Sequence, residues 1–188
     1  MRNLLGFLAV LIILGSMIAV ASDQPQDEAQ GQMPEMGPPQ QIQDMAFIVG
    51  DWTYKGRLRM DENSPWQENE AKVTFSYVAG GGAIQMEYTG MMMGTELNGV
   101  GLTAYDRELE QWQETWVDNF SGRISYYTGK PEDGRRVVSG MDYMGGQVFY
   151  SRATTYDFTD TEFKWMMENS IDGDNWFISM EGVYTKNK

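Results

Sequence analysis

The sequence Ile-Val-Gly-Asp-Trp-Thr-Tyr-Lys-Gly, residues 48–56, decides the fold of this chain of 188 residues. After the first glycine, Trp52, Tyr54 and Leu58 fall on one side of an extended chain, and Asp51 and Lys55 fall on the other. Alternation with a period of two and a single apolar face is typical of a half-buried β-strand. The stretch therefore predicts the first strand of an antiparallel sheet.

About nine further segments of strand-like composition follow, separated by turns rich in glycine, aspartate and proline. No long helix interrupts them, which is typical of sequential hairpins rather than of parallel strands. Closing such a meander into a barrel removes its exposed edges. We predict an all-β fold, an antiparallel up-and-down β-barrel of about ten strands over residues 42–188, wide enough for an internal cavity.

The first 49 residues divide into three parts. Residues 1–21 have one positive charge, a long apolar run and the cleavage pattern Ala19-Val20-Ala21, so we predict a signal peptide and an exported protein, periplasmic or extracellular. The alternative is an uncleaved membrane anchor, because the apolar run is just long enough to span. Residues 22–41 form a Gln/Pro-rich linker that we expect to be disordered. From Ile42 to Val49 the apolar spacing predicts a short helix packed on an open barrel end.

The composition excludes several classes of function. The formal net charge is −13, so nucleic acid is an unfavourable partner, and no membrane span remains if the signal is cleaved. The chain has neither cysteine nor histidine, which excludes disulfides, thiolate metal sites and histidine-dependent hydrolases. We predict no metal and no cofactor. The 15 methionines are interpreted as adaptable apolar filling, with a thioether copper site at Met91-Met92-Met93 as the less favoured alternative.

Alternation also assigns inward faces to the predicted strands. The predicted inward residues include Ile84, Met86, Tyr88, Trp112, Ile124, Val148, Thr154, Tyr156, Phe158, Phe163, Met167, Trp176, Ile178, Met180 and Tyr184. Three charged residues, Glu114, Asp118 and Arg152, share these faces. A buried charge needs a partner or a ligand. Three interpretations are open. Arg152 pairs with a carboxylate inside the barrel, or a bulge turns the charged residues outward, or Arg152 receives the anionic head of an apolar ligand.

The candidate binding residues follow from these faces. We expect the cavity to be lined by Trp116, Tyr126, Tyr150 and Trp165, with Arg152 as the polar anchor and Glu114 and Asp118 beside it.

Several motifs resemble one family of bacterial exported proteins, known only as domain of unknown function 1579. They are Val49-Gly50-Asp51-Trp52, Glu87-Tyr88-Thr89-Gly90 leading into Met92-Met93-Gly94, the run from Gly99 to Asp106, the run from Thr115 to Asn119, and the closing Met180-Glu181-x-x-Tyr184. The family's usual glycine-tyrosine-aspartate reads Ala104-Tyr105-Asp106 here. The opening Gly-x-Trp also resembles calycin barrels, the lipocalin and fatty-acid-binding relatives. This resemblance implies an up-and-down barrel that holds a small apolar ligand, and it implies no established activity. The related nitrobindin-like barrels bind haem through a histidine, which this chain lacks, so that function is not expected here.

Three functions are compatible with the sequence. The first is non-catalytic binding of a small hydrophobic or amphipathic ligand in the barrel cavity. The alternative is an envelope structural or interaction protein with a filled barrel and no ligand. An enzyme that uses Glu114 and Asp118 as acid and base is the least favoured, so we predict that the protein is not an enzyme. The sequence leaves the oligomeric state open.

Overall fold

The computed structural model describes residues 36–144 and 146–188. The predicted signal peptide lies outside these residues, as does the predicted linker up to residue 35. Within the described part, one short helix precedes eleven strands. They are α1 (Gln40–Gln43), β1 (Gly50–Leu58), β2 (Gln67–Val78), β3 (Ala83–Met92), β4 (Thr95–Asp106), β5 (Gln111–Asp118), β6 (Ser125–Gly129), β7 (Pro131–Glu132), β8 (Arg135–Met144), β9 (Gln147–Tyr156), β10 (Glu162–Ser170) and β11 (Phe177–Lys186).

Ten of these strands form a closed antiparallel barrel, and the two-residue β7 is a small extension that pairs with β8. Apart from β6 and β7, each strand pairs with the next strand in sequence, and β1 pairs with β11. The barrel closes where β6 pairs with β8, through the residue pairs Tyr127–Gly140 and Thr128–Ser139. We call this contact the β6–β8 seam. The predicted up-and-down barrel of about ten strands is confirmed.

Residues 40–48, which we call the N-terminal cap, cover one end of the barrel. Buried residues recur every third position, at Ile42, Met45 and Ile48. A repeat of three matches a 3-10 turn better than an α-helix, and Ala46–Ile48 form such a turn after the single α-helical turn of α1. The helix is therefore shorter than predicted and begins at Gln40, before the predicted start. Its position on a barrel end is as predicted, because the Phe47 ring packs edge-on against Phe158 at 5.8 Å.

Two strands have the opposite face inward from the one predicted. In β6, Tyr127 is 7% exposed and its neighbour Tyr126 is 51% exposed, so the predicted inward positions of Ile124 and Tyr126 are wrong. The strand begins at Ser125, which pairs with inward-facing Trp116 and so sets the phase. In β9 the inward residues are Phe149 and the small Ser151, Ala153 and Thr155.

The physical reason in β9 is space inside the barrel. Thr155 pairs with Trp165, and Ala153 pairs with Met167, on the adjacent strand β10. The large side chains of β10 fill the interior, so only small residues fit beside them, and alternation of small and large residues is common in barrel cores. The more apolar face of β9 therefore lies outside. The inward assignments of Val148, Tyr150, Arg152 and Tyr156 are wrong, and Thr154 shares their face by register although it is only 5% exposed.

A β-bulge changes the phase of β11. Met167 pairs with Met180, but the next residue, Glu168, pairs with Ile178, so Ser179 is the extra residue. The Ser179 hydroxyl donates to the Met167 carbonyl at 3.2 Å and accepts from the Asn169 amide at 3.0 Å. Met180 and Tyr184 therefore face inward as predicted. Ile178 faces outward, and Trp176 lies outside beneath Arg152, so these two inward predictions are wrong.

Candidate ligand-binding site inside the barrel

Strand β5 supplies the polar wall of the interior. Trp112, Glu114, Trp116 and Asp118 alternate along it and face inward, as predicted. The Trp116 ring packs edge-on against Tyr88 with ring centres 5.9 Å apart, and its Nε1 donates to Asp118 at 2.8 Å. The tryptophan is therefore held on one side by an aromatic contact and at its polar edge by a carboxylate.

Asp118 is an acceptor for donors from three residues. Burial alone would raise the pKa of its carboxyl group, but the N–H groups of Ser121 and Phe120, at 2.7 and 2.9 Å, and the Trp116 indole hold that pKa below its usual range. Donors to the charged form stabilise it. Asp118 is therefore a stable carboxylate at neutral pH and forms no ion pair within the described part of the chain, and a catalytic acid would need a raised pKa.

An arginine lies inside the barrel, but it is Arg136 of β8 and not Arg152. Its Nε is 2.6 Å from Glu114 Oε1, and the two side chains are 11% and 19% exposed. The guanidinium also lies over the Trp112 ring at 5.5 Å, and its Nη1 is 3.2 Å from the sulfur of Met45 in the N-terminal cap. The internal Arg–carboxylate pair that the sequence suggested exists with a different arginine.

Arg136 cannot be identified from sequence alternation, for a physical reason. Both alternating sets of β8 contain an arginine, a valine and a polar residue, so the strand has no clearly apolar face. The signal that identifies its phase is the pairing of Gly140 with Tyr127 across the β6–β8 seam.

Asp142 joins the two strands of this seam from inside. Its two carboxylate oxygens accept hydrogen bonds from the hydroxyl groups of Ser125 and Tyr127. Burial raises the pKa of Tyr127, and the bond to Asp142 raises it further. These bonds support a seam that has little backbone pairing, and no ion pair to Asp142 is seen among the described residues.

The opposite wall is aromatic. Phe163 of β10 stacks on Tyr184 of β11 with ring centres 4.5 Å apart, and Tyr54 of β1 lies 4.8 Å from Tyr184. The Tyr54 ring lies over Gly182, where a Cβ would come within 2.5 Å of it. The buried Tyr54 hydroxyl has no hydrogen-bond partner among the described residues. Burial raises the pKa of Tyr54, and it raises that of Tyr184 as well.

The two ends of the interior differ in their access to solvent. Near the N-terminal cap the inward residues Trp52, Ile84 and Phe163 are almost fully buried. Towards the other end, solvent partly reaches inward residues of β5, β8, β9 and β10. We call this region the inner recess and define it by Trp116, Asp118, Asp142, Phe149 and Trp165.

The recess combines aromatic faces with two carboxylates. Aromatic faces and carboxylates attract cations and hydrogen-bond donors, and aromatic rings also pack against apolar chains. The Glu114–Arg136 pair is neutral as a unit. The recess therefore suits an apolar body with a cationic or neutral donor group better than one with an anionic head.

The structure separates the seven predicted site residues into two groups. Four of them, Glu114, Trp116, Asp118 and Trp165, face the interior of the barrel. Tyr126, Tyr150 and Arg152 lie on the outer wall. Arg152 makes two bonds of 2.9 Å to Glu168 and lies over Trp176 at 4.4 Å. The hydrogen bonds that Arg152 donates to Glu168 raise the pKa of the guanidinium. The role of Arg152 as a cavity anchor is therefore wrong, because its partner strand β10 presents Glu168 on the outer face.

Two further features bear on the type of protein. Among residues 36–144 and 146–188, no three carboxylates lie close enough together to hold a metal ion. In the same residues no helix has the length and apolar composition to cross a membrane.

The family described as "Protein of unknown function (DUF1579)" matches residues 37–186. The chain belongs to this family. The match covers the N-terminal cap and every strand of the barrel, so the resemblance seen in the sequence motifs is confirmed. A comparison with curated proteins finds no match.

Two solved structures are similar to this member of the DUF1579 family. The crystal structure of Rv2717c from M. tuberculosis has a TM-score of 0.59 and 11% sequence identity, over 81% of this chain and 100% of that one. The S-type phycobiliprotein lyase CPES from Guillardia theta has a TM-score of 0.51 and 12% identity, over 78% of this chain and 92% of that one. At these identities the likeness supports the barrel fold alone.

Proposed function

We propose that this protein binds a small amphipathic molecule in the inner recess, without catalysing a reaction. The observation that carries the proposal is the partial exposure of inward-facing Trp116, Trp165 and Phe149, while the capped half of the same interior is sealed. Accessible aromatic surface inside a barrel favours an apolar occupant. Asp118 and Asp142 then favour a cationic or neutral donor head.

Three probes of equal chain length test the chemistry of the ligand: dodecylammonium, dodecanol and dodecanoate, each below its micellar concentration. We expect the ammonium and the alcohol to raise the melting temperature and change tryptophan fluorescence. The carboxylate should bind at least about tenfold more weakly, because two carboxylates line the recess. Equal binding of all three probes, or of none, would contradict the proposal.

A matched pair of variants locates the site. Trp116→Ala removes an aromatic side chain of the inner recess, and Trp176→Ala removes one from the outer wall. We expect the first to abolish the probe-induced shift and the second to leave it unchanged. Arg152→Met serves as another outer-wall control and should also retain binding.

The non-catalytic part of the proposal needs its own test, because one protein of this fold is named a lyase. The carboxylate of Glu114 is paired with Arg136, and the hydrogen bonds to Asp118 hold its pKa below the usual range, whereas a catalytic acid needs a raised pKa. Recovery of the bound molecule unchanged after prolonged incubation would support a carrier. Conversion of that molecule by the wild type but not by Glu114→Gln would overturn this part.

We further propose that the protein is exported and cleaved before Ser22, on the pattern of residues 1–21. The intact mass of the protein from its own cell envelope tests this. A mass that begins at Ser22 is expected, and a mass that includes the apolar segment would favour a membrane anchor.

A second candidate is an interaction protein that acts through its outer wall. The exposed Tyr126, Met141 and Tyr150 favour it, because contiguous apolar side chains on a protein surface often mark an interface.

A further inference from the structure

Exposed apolar side chains form a row across the outer wall of the barrel. Val100 of β4 is followed by Ile124, just before β6, and by Tyr143 of β8 and Val148 of β9. The register explains their alignment, because Val100 pairs with Val117, and Tyr143 pairs with Val148.

A second row lies beside the first. It contains Leu102, Tyr126, Met141 and Tyr150. Thr115 of β5 pairs with both Leu102 and Tyr126, and Met141 pairs with Tyr150. The eight exposed residues of the two rows, which we call the outer apolar patch, are each 39% to 68% exposed.

The size of the patch is close to what a stable interface needs. A fully buried aromatic side chain removes about 150–250 Å² from solvent, so each half-exposed tyrosine presents about 60–130 Å². With somewhat less from each aliphatic side chain, the patch presents roughly 700 Å², against about 800 Å² per partner in a standard interface and about 300–600 Å² for the largest patch of a typical monomer.

The distribution of charge indicates the occupant. The chain carries a net charge of −13, whereas the eight side chains of the patch are uncharged and the exposed Glu87, which pairs with Val100, lies at its border on β3. Two copies of such an acidic protein repel one another, and an uncharged surface is where they approach with least cost. An anionic membrane would need a basic rim. Two arginines border the patch. Arg123 donates to the Tyr143 carbonyl and lies over the ring of that residue, and Arg152, beside Tyr150 on the outer face of β9, is paired with Glu168.

We propose that the outer apolar patch is the interface of a homodimer. A two-fold axis would place the patch of one copy on the same patch of the other, which is the usual geometry of dimers. The patch crosses the β6–β8 seam, where few backbone pairs hold the barrel closed. A second copy laid over the seam shields it from water and strengthens it. This interface is independent of ligand binding in the inner recess.

Sedimentation analysis of the protein expressed from its full coding sequence tests the dimer. We expect a dimer at about 10 μM that dissociates on dilution. Tyr126→Lys with Met141→Lys places charges at the centre of the patch and should weaken the dimer by roughly a hundredfold or more. Leu109→Lys is the matched control, since Leu109 is 56% exposed in the turn before β5 and should leave the dimer intact.

Disulfide cross-linking through single introduced cysteines is a second readout, and it leaves the rest of the patch as in the wild type. No other thiol interferes, because the chain has no cysteine of its own. Met141→Cys should form a disulfide-linked dimer under mild oxidation, whereas Leu109→Cys should remain a monomer on a denaturing gel. A wild type that is monomeric at about 100 μM would overturn the proposal. So would a monomer that binds uncharged lipid vesicles through Tyr126 and Met141, which would assign the patch to a membrane surface.

Discussion

The Tyr54 hydroxyl group is buried among aromatic rings and has no hydrogen-bond partner among the described residues. An unsatisfied buried polar group costs free energy. Tyr54→Phe should therefore leave the free energy of unfolding unchanged or raise it by up to about 1 kcal/mol. Tyr127→Phe is the matched comparison and should lower it by about 1–3 kcal/mol, because Asp142 loses a donor. Urea unfolding measures both, and equal effects would contradict this assignment.

Glu114 and Arg136 form an ion pair in the interior of the barrel. Arg136→Met leaves Glu114 without its cation, and we expect a loss of about 2–4 kcal/mol at neutral pH, since the pair is mostly but not fully buried. Glu114→Gln combined with Arg136→Met removes both charges and should recover at least half of that loss. A double variant no more stable than Arg136→Met would show that the two charges are not coupled.

At the residue scale, the sequence was sufficient where one face of a strand was clearly the more apolar. Trp116 and Trp165 were assigned correctly for this reason. Arg152 and Tyr150 were not, because beside β10 the interior takes the small Ser151, Ala153 and Thr155, and the two residues alternate with these on the outer wall. Alternation gives the two faces of a strand, but the volume of the neighbouring side chains decides which one faces inward.

The β6–β8 seam is the element that closes the barrel, and Gly129 at its end permits the strands to meet. A Cβ at Gly129 would lie 1.8 Å from the Val137 carbonyl oxygen. Gly129→Ala should therefore cost more than about 3 kcal/mol, since backbone and not a flexible side chain must move.

Gly134→Ala is the control for this substitution. Gly134 lies in the turn before β8 with φ of +70° and nothing near its Cβ position, so only the strain of that φ applies, at about 1 kcal/mol. Of the neighbouring amides of Tyr127 and Thr128, one points to β5 and the other across the seam to β8, so hydrogen exchange at the second reports on closure. It should accelerate in Gly129→Ala and stay unchanged in Gly134→Ala. The reverse order would contradict a closure that depends on Gly129.

At the element scale, the number and order of the strands could be predicted because glycine and aspartate mark the turns. The bulge at Ser179 could not, since nothing in the apolar alternation from Trp176 to Met180 shows an inserted residue. The bulge is identified by the shift in register between β11 and β10. The position of the N-terminal cap on a barrel end could be predicted, but its helix type could not. An apolar spacing of three or four residues fits both an α-helix and a 3-10 turn.

The stability of the whole barrel should fall in alkaline solution. Four buried tyrosines, Tyr54, Tyr88, Tyr127 and Tyr184, have pKa values raised above the ordinary 10.0, chiefly by burial. The contribution of these raised pKa values to the free energy of unfolding is complete below pH 10. It is lost as the pH rises from 10 towards the folded-state pKa values, because the tyrosines of the unfolded chain release their protons first.

Each such tyrosine contributes about 1.4 kcal/mol of lost stability per pH unit in this range. We therefore expect cooperative unfolding that coincides with the appearance of tyrosinate absorbance, and circular dichroism at several pH values measures it. Gradual ionisation of these tyrosines in a folded barrel would contradict the sealed aromatic interior.

The most direct test of the ligand-binding proposal is native mass spectrometry of the protein purified from its own cells, before and after extraction with organic solvent. We predict one extra mass per chain that solvent removes, that Trp116→Ala lacks and that Trp176→Ala retains. A wild-type protein of bare polypeptide mass, unchanged when a lipid extract from the same cells is added back, would contradict the proposal.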